Sequence, residues 1–323
     1  MKKATQLFHT MEKNNPDFPR HGKIISTPWK NSPPDTPSPQ KFSTLWKTFF
    51  HTVENVPSPL NPEPRTLPPP LLMGILNLTP DSFSDGGKYT DPAAAEEQAH
   101  KLVADGAHIL DIGAESTRPG HDPVSAQEEI RRLLPVLDRL AAGNFKTPIS
   151  IDTRKAEVAR AAFDHGAHIL NDVAGLTAPG MLPFAQSGDF PVILMHGIAN
   201  TLPPADTTPS ETIAAWFTSY IPALNLAPER LILDPGLGFG LTREQETAIL
   251  DNLAPLTALG WPLLIGLSRK RLVRHLHPDT DPDLVSAQLS CTAWRNGATI
   301  LRLHNLRPIK QMLDGALPPF PES

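Results

Sequence analysis

From residue 71 onward, short apolar runs alternate with longer stretches in which apolar positions recur at helical spacing. Eight of these runs have the length and the branched side chains of buried strands. They cover residues 71–77, 108–112, 148–152, 168–172, 191–196, 230–234, 262–268 and 299–304. Amphipathic stretches between them, such as 93–106, 125–143 and 210–224, predict helices. Eight strand–helix units in about 250 residues predict a parallel, (β/α)8 TIM barrel.

The first 70 residues follow a different pattern. They hold 14 of the 37 prolines, a density that disfavours long helices and central strands. We therefore divide the chain into a proline-rich, largely irregular arm over 1–70 and a barrel domain over 71–323. Residues 42–53 are an exception, since their apolar side chains predict a short amphipathic helix. That helix either packs on the barrel or contacts a membrane surface or a partner.

Charge and cysteine content narrow the class of protein. The arm has 9 basic and 5 acidic residues, so it carries +4 of a net charge of −5 and leaves −9 for the barrel. Such a barrel is a poor match for nucleic acid. The lone Cys291 excludes an internal disulfide, and no apolar run has the length of a membrane span. We expect a cytoplasmic protein with no membrane or nucleic-acid partner.

Polar residues end nearly all the predicted strands. They are Asn77, Asp111, Asp152, Asn171 with Asp172, His196 after Met195, Asp234, Ser268, and Arg302 with His304. In a barrel these strand ends meet at one face, here called the mouth, where active sites of this fold are built. Polar residues also end strands simply because loops are hydrated. Their recurrence along the chain favours the functional interpretation.

The residues predicted at the mouth suggest two kinds of contact. Asp111, Asp152, Asp172 and Asp234, with the two asparagines, can accept hydrogen bonds from the donor edge of a flat heterocycle. The cations lie elsewhere, in Arg118, the segment 268–271, and Arg302 with His304, and they favour a small anionic ligand. No His and Cys spacing indicates a metal site made by the protein alone, while Mg²⁺ bridging a substrate phosphate stays open.

Seven motifs, taken in order, resemble dihydropteroate synthases. They are MGILNLTPDSFSDGG (73–87), DIGAESTRPG (111–120), SIDT (150–153), NDVAGL (171–176), DPGLGFG (234–240), GLSRK (266–270) and LRLH (301–304). The resemblance covers about residues 71–317 and leaves out the arm. It implies condensation of 6-hydroxymethyl-7,8-dihydropterin diphosphate with 4-aminobenzoate, release of diphosphate with Mg²⁺, inhibition by sulfonamides, and a homodimer.

The resemblance also implies a role for individual residues. The pterin pocket falls on Asp111, Asp152, Asn171, Asp234 and Lys270, with Met195 and Phe239 beside the ring. The diphosphate site falls on Asn77, Arg118, Arg302 and His304, and Asn77 lies near Mg²⁺. The aminobenzoate site falls on Thr117, Phe83 and Pro119. Lys270, Arg302, His304 and Arg118 would then carry the reaction by electrostatics and positioning, through a dissociative loss of diphosphate.

Four departures from the family pattern stand out, the first being MHGIAN (195–200) where MHMQG is expected after the fifth strand. Leu241 stands where a Lys is common, Arg271 where a Ser is common, and Asn305 where an Asp is common. Arg271 can pair with the aminobenzoate carboxylate in place of a hydroxyl contact. Two rival interpretations remain: a pterin-binding barrel that has lost catalysis, and a corrinoid-linked methyltransferase that binds methyltetrahydrofolate on the same fold.

Overall fold

The computed structural model describes residues 67–79, 91–115, 123–197 and 208–317. Apart from residues 67–70, the predicted arm lies outside these ranges, as does the predicted helix over 42–53. The division of the chain at residue 70 therefore stays a prediction. No helix within the described ranges is long and apolar enough to cross a membrane.

Eight parallel strands form the sheet, and each overlaps one of the predicted apolar runs. The strands are β1 (Leu71–Asn77), β2 (Ile109–Gly113), β3 (Ile149–Asp152), β4 (Ile169–Asp172), β5 (Val192–Met195), β6 (Leu231–Asp234), β7 (Leu264–Gly266) and β8 (Ile300–Leu303). Their hydrogen-bonded order is β6-β5-β4-β3-β2-β1-β8-β7. A parallel bridge between Leu233 and Leu263 brings β6 back to β7. The sheet thus closes on itself, which confirms the predicted (β/α)8 barrel.

Helices alternate with the strands throughout the described ranges. They are α1 (Pro92–Ala104), α2 (Ala126–Ala142), α3 (Ala156–Asp164), α4 (Met181–Gln186), α5 (Pro209–Leu224), α6 (Arg243–Asp251), α7 (Ala254–Thr257), α8 (Arg271–Leu276), α9 (Pro282–Arg295) and α10 (Arg307–Leu313). Helix caps set several of the starts: the Ser125 hydroxyl accepts the Glu128 N–H at 3.2 Å, and Thr242 and Gln245 form a capping box. The three helices predicted from amphipathic stretches are confirmed as α1, α2 and α5.

Alternation along the strands divides the buried apolar residues into two layers. One lies between the sheet and the helices, and the other fills the inside of the barrel. The inner layer consists of Met73, Ile109, Ile169, Ile193, Ile232, Leu264 and Ile300, which are at most 3% exposed. Burying each such side chain stabilises the fold by about 1.5–3 kcal/mol. The inner layer also closes the barrel interior beneath the mouth, so the barrel is a packed core with a pocket at one end.

Candidate active site at the mouth of the barrel

The polar residues of the mouth occupy the inward-facing positions directly above the inner apolar layer. The pairs are Ile109 and Asp111 on β2, Ile169 and Asn171 on β4, Ile193 and Met195 on β5, Ile232 and Asp234 on β6, and Ile300 and Arg302 on β8. Side chains two positions apart on a strand share a face, so each mouth residue points the same way as its apolar neighbour. Because side chains alternate along each strand, four polar side chains and Met195 all point into one pocket.

Arg302 lies at the centre of this pocket, held by two carboxylates from other strands. Its Nε donates to Asp111 Oδ2 at 2.6 Å, and its Nη2 donates to Asp152 Oδ2 at 2.7 Å. Burial alone would lower the pKa of Arg302, but Asp111 and Asp152 outweigh it and raise the pKa above its ordinary value. The guanidinium is therefore charged at any working pH. The expectation that cations lie apart from the carboxylates is wrong for Arg302, because its side chain points into the closed barrel and reaches Asp111 on β2 and Asp152 on β3.

Asp111 is fully buried and accepts hydrogen bonds from two side chains. Besides the Arg302 bond, it accepts the Asn171 side-chain N–H at 3.1 Å. Such a carboxylate can fix the orientation of the Asn171 amide and of the guanidinium. Asp111, near the end of β2, thus holds both Asn171 and Arg302 in the polar cluster.

Asp152 retains a free acceptor. Its Oδ2 is bonded to Arg302, whereas its Oδ1 is buried with no hydrogen-bond partner among the described residues. Burial raises the pKa of Asp152 to about 7, helped by the charges of Asp111, Asp172 and Glu129 and opposed by Arg302. An unpaired buried oxygen is costly, which suits it to accept a hydrogen bond from a ligand.

Asp234 and the loop after β6 form the opposite side of the pocket. Its Oδ1 accepts the Gly236 N–H at 2.8 Å, and burial raises the pKa of this carboxyl, with Lys270 opposing the shift. Gly236 has φ +78°, and a Cβ at this position would collide with the His196 carbonyl oxygen. Glycine is therefore required for the turn that folds this loop against β5.

Lys270 reaches over the loop that follows β6. Its ammonium donates to the Leu237 carbonyl and lies 4.8 Å from the centre of the Phe239 ring. A Cβ at Gly238 would approach Lys270 Cδ to 2.7 Å, so the glycine leaves room for the lysine stem. Burial lowers the pKa of Lys270 to about 8, although the nearby Asp234 raises it. The structure thus places the Lys270 ammonium and the Phe239 ring together.

Asp172 was expected to face the mouth, but its side chain points away from it. Its two oxygens accept the backbone N–H groups of Ala174 and Leu176, both at 2.8 Å, and the residue is fully buried. Because Asn171 points inward, its neighbour on the strand points outward. Burial raises the pKa of Asp172 to about 6, with the two backbone bonds opposing the rise. Asp172 shapes the turn after β4.

His196, which follows Met195, also points out of the barrel. Its ring packs edge-on against Trp216, with the ring centres 5.0 Å apart.

His304 and Asn77 lie together at the ends of β8 and β1. Asn77 Nδ2 is 3.2 Å from His304 Nε2, and His304 Nδ1 is 2.9 Å from the Ser268 hydroxyl. The same hydroxyl accepts the backbone N–H of His304 at 3.0 Å. Ser268 therefore ties the end of β7 to the end of β8. The predicted grouping of Asn77, His304 and Arg302 on neighbouring strands is what the strand order produces.

The residues expected at the aminobenzoate site are placed only in part. Phe83, Thr117 and Pro119 lie outside the described residues, as does Arg118 of the predicted diphosphate site. Arg271 is exposed at the first position of α8, directly after Lys270.

The structure also shows a cluster of charged side chains that was not predicted from the sequence and that includes Glu115, just after the end of β2. Lys155 donates to Glu115 at 3.0 Å and to Glu129, and Glu115 also accepts the Val124 N–H at 2.9 Å. Glu129 is 1% exposed, and burial raises its pKa although Lys155 opposes the shift. The sequence does indicate that Glu129 is buried, because it stands four residues before Leu133 on the apolar face of α2.

Comparison with known proteins agrees with this geometry. The model of the family described as pterin binding enzyme matches residues 73–304. The dihydropteroate synthase of Synechocystis sp. is 40% identical over 252 residues, which span 75% of this chain and 87% of that protein. A structure of Xanthomonas albilineans dihydropteroate synthase with 4-aminobenzoic acid gives a TM-score of 0.70 at 40% identity, covering 76% of this chain and 91% of that one. Another from that species, in complex with 7,8-dihydropteroate, gives 0.68 at 36% identity, covering 77% and 95%.

The matched range begins inside β1 and ends at His304, so it contains every mouth residue described above. It also exceeds half of the chain's 323 residues. The chain belongs to the dihydropteroate synthase family of pterin-binding enzymes.

Proposed function

We propose that the protein condenses 6-hydroxymethyl-7,8-dihydropterin diphosphate with 4-aminobenzoate, giving 7,8-dihydropteroate and diphosphate in folate biosynthesis. One observation carries the proposal: Arg302, a permanent cation, is fixed beside the unpaired Oδ1 of Asp152 in one buried pocket. A substrate with a donor edge at one end and an anion at the other matches both features.

The pterin ring is assigned to the acceptor side of the pocket. Asp152, Asn171 and Asp234 would accept its N–H groups, with Asp111 holding Asn171 in place. Met195 would border the ring on the β5 side, where it is 1% exposed. Phe239 and the Lys270 ammonium above it would border the other side. Ring N–H groups left unpaired in a buried site are costly, so this set selects for a pterin.

The diphosphate is assigned to Arg302, His304 and Asn77, with Arg118, from the loop after β2, as a further cation. Negative charge grows on this group as it leaves, so fixed positive charge stabilises the transition state more than the ground state. Arg302 is held by Asp111 and Asp152 before any ligand binds, which keeps the reorganisation small.

Mg²⁺ fits beside Asn77. Magnesium prefers oxygen ligands and is commonly held by one or two protein groups together with substrate phosphates. The Asn77 amide offers such an oxygen at the end of β1, next to His304. The described residues contain no group of three or more His, Cys, Asp or Glu side chains suited to a metal, so the fit is to an ion held largely by the diphosphate. When bound, Mg²⁺ would supply further positive charge against the leaving group.

The second substrate is assigned to Thr117, Phe83 and Pro119, with Arg271 as a partner for the aminobenzoate carboxylate. The arylamine nucleophile is neutral at pH 7, so no residue has to remove a proton before attack. The protein's contribution is to align the amine with the pterin CH₂ carbon and to exclude water from the carbon as diphosphate leaves.

Turnover tests the proposal against its rivals. We expect purified protein with Mg²⁺ to release diphosphate much faster when 4-aminobenzoate is present, and to form dihydropteroate in equal amount. Pterin binding without turnover would favour the barrel that has lost catalysis. Methyl transfer from methyltetrahydrofolate to a corrinoid, without diphosphate release, would favour the methyltransferase.

We also propose a homodimer, on the family resemblance. Light scattering after gel filtration should then give about twice the 35.2 kDa of one chain. A mass near that of one chain at assay concentration would contradict it.

A further inference from the structure

Arg269 has an unusual backbone conformation between two residues of the site. It stands between Ser268, which bonds His304, and Lys270, and its φ is +56°. A non-glycine residue in the left-handed region is disfavoured and persists where its surroundings enforce it. Here the Arg269 N–H donates to the Ser286 hydroxyl at 3.2 Å. The left-handed residue reverses the chain, so it sets the direction in which Lys270 leaves β7.

Asp283, in the first turn of α9, holds the side chain of Arg269. The guanidinium donates to both carboxylate oxygens, Nε to Oδ1 at 2.8 Å and Nη2 to Oδ2 at 3.0 Å. The Asp283 side chain is only 14% exposed. The hydrogen bonds from Arg269 are the main reason that the pKa of Asp283 lies below its ordinary value. A bidentate pair of this kind fixes orientation as well as distance.

The same carboxylate also holds the loop after β8. Asn305 Nδ2 donates to Asp283 Oδ2 at 3.1 Å, and Asn305 is the residue that follows His304. The Asn305 Oδ1 accepts the Arg307 N–H at 3.2 Å at the start of α10. An amide donor suits this position, because a second carboxylate would face Asp283 with like charge. One partly buried acid therefore joins the loop that carries Lys270 to the loop that carries His304.

We propose that Asp283 is a positioning residue for the reaction: through Arg269 and Asn305 it fixes the separation of Lys270 and His304. This inference rests on the proposed function, which assigns those two groups to the pterin and the diphosphate. Asp283 itself acts through the two loops. A shift of about 1 Å in such groups can lower a rate about a hundredfold.

Two variants of the same helix turn separate positioning from stability. Asp283→Ala removes the acid that joins the loops, while Asp281→Ala removes the cap of α9, in which Asp281 Oδ1 accepts the Asp283 N–H at 2.9 Å. Both should lower the melting temperature. Only Asp283→Ala should lower kcat/KM for the pterin diphosphate, by about tenfold or more. Affinity for the bare hydroxymethyl pterin should fall less than kcat/KM does, since the ring acceptors Asp152, Asn171 and Asp234 lie on other strands and only Lys270 would shift with the loop.

A double-mutant cycle tests whether Asp283 acts through Arg269. Arg269→Gly removes the pair but accepts the left-handed conformation, so Asp283→Ala should lower kcat/KM much less in that background. If Asp283→Ala does not fold, Asp283→Asn replaces it in every measurement. Equal kinetics for the Asp283 and Asp281 variants would overturn the inference, as would purely additive effects in the cycle. Inactive wild-type protein would instead contradict the proposed function.

Discussion

Arg302 on β8 joins Asp152 on β3 across the mouth of the barrel, with Nη2 and Oδ2 2.7 Å apart. The bond connects strands that are not neighbours in the sheet. It leaves one Asp152 oxygen for a ligand and keeps the cation next to it. Asp152, an acceptor for the heterocycle, is therefore in direct contact with Arg302, the cation for the leaving group.

Removing that cation should affect both stability and ligand choice. Arg302→Ala leaves Asp111 and Asp152 as buried acids without their partner, which should cost about 3–5 kcal/mol in urea unfolding. Calorimetry should show a much larger loss of affinity for the pterin diphosphate than for the hydroxymethyl pterin, since only the former has an anion to pair. Arg139→Ala is the control, because its exposed pair with Glu96 should contribute at most about 1 kcal/mol. Equal affinity losses for the two ligands would show that Arg302 is purely structural.

kcat/KM should have a bell-shaped dependence on pH, with one acid limb and one alkaline limb. Binding needs Asp152 ionised and Lys270 charged, and burial moves the pKa of Asp152 up to about 7 and that of Lys270 down to about 8. kcat/KM should therefore rise with pH as Asp152 loses its proton and fall again as Lys270 loses its own. Lys270→Arg should move the alkaline limb upward, because arginine stays charged. A profile that is flat from about pH 6 to about 9 would contradict these assignments.

Lys155 should matter for stability in a manner that depends on pH. Lys155→Met leaves Glu115 and Glu129 without their shared cation, at a cost of about 3 kcal/mol near pH 8. Without Lys155 the folded pKa of the buried Glu129 rises further above its unfolded value. The folded variant then binds more protons than the unfolded chain, so its stability should recover as pH falls toward about 5. Urea unfolding at both pH values checks this, with Arg131→Ala as an exposed control.

Arg118 should affect turnover more than pterin affinity. We expect Arg118→Ala to lower kcat while pterin binding stays near normal, because the arginine would act on the departing diphosphate. Pairing of Arg118 with Glu115 is a competing explanation, but Glu115 already accepts from Lys155, Arg154 and Val124. Steady-state kinetics with both substrates decide the matter. Near-normal turnover and normal aminobenzoate saturation in the variant would contradict this role.

The sequence predicted the barrel and most of its mouth because both depend on strand period. Asp111, Asn171, Asp234 and Arg302 each stand two positions after a buried apolar residue, and that regularity is visible in the chain. The same rule, applied strictly, would have placed Asp172 outside the pocket, since it follows the inward-facing Asn171.

Other features could not be predicted from the chain. The bonds from Arg302 to Asp111 and Asp152 depend on how the closed barrel brings distant strands together. The left-handed φ of Arg269, in the turn after β7, has no local signature, because it is enforced by Asp283 and Ser286 on α9.

The most direct test of the account is calorimetric titration of hydroxymethyl pterin into wild-type protein and into Asp152→Ala and Asp234→Ala. Each variant removes a buried acceptor, which should leave ring N–H groups unpaired at about 1–3 kcal/mol or more per group. We predict tight binding to the wild type and no measurable binding to either variant. Asp314→Ala, at an exposed pair with Lys310, should bind like the wild type. Unchanged affinity in both pocket variants would contradict the assignment of the mouth to the pterin.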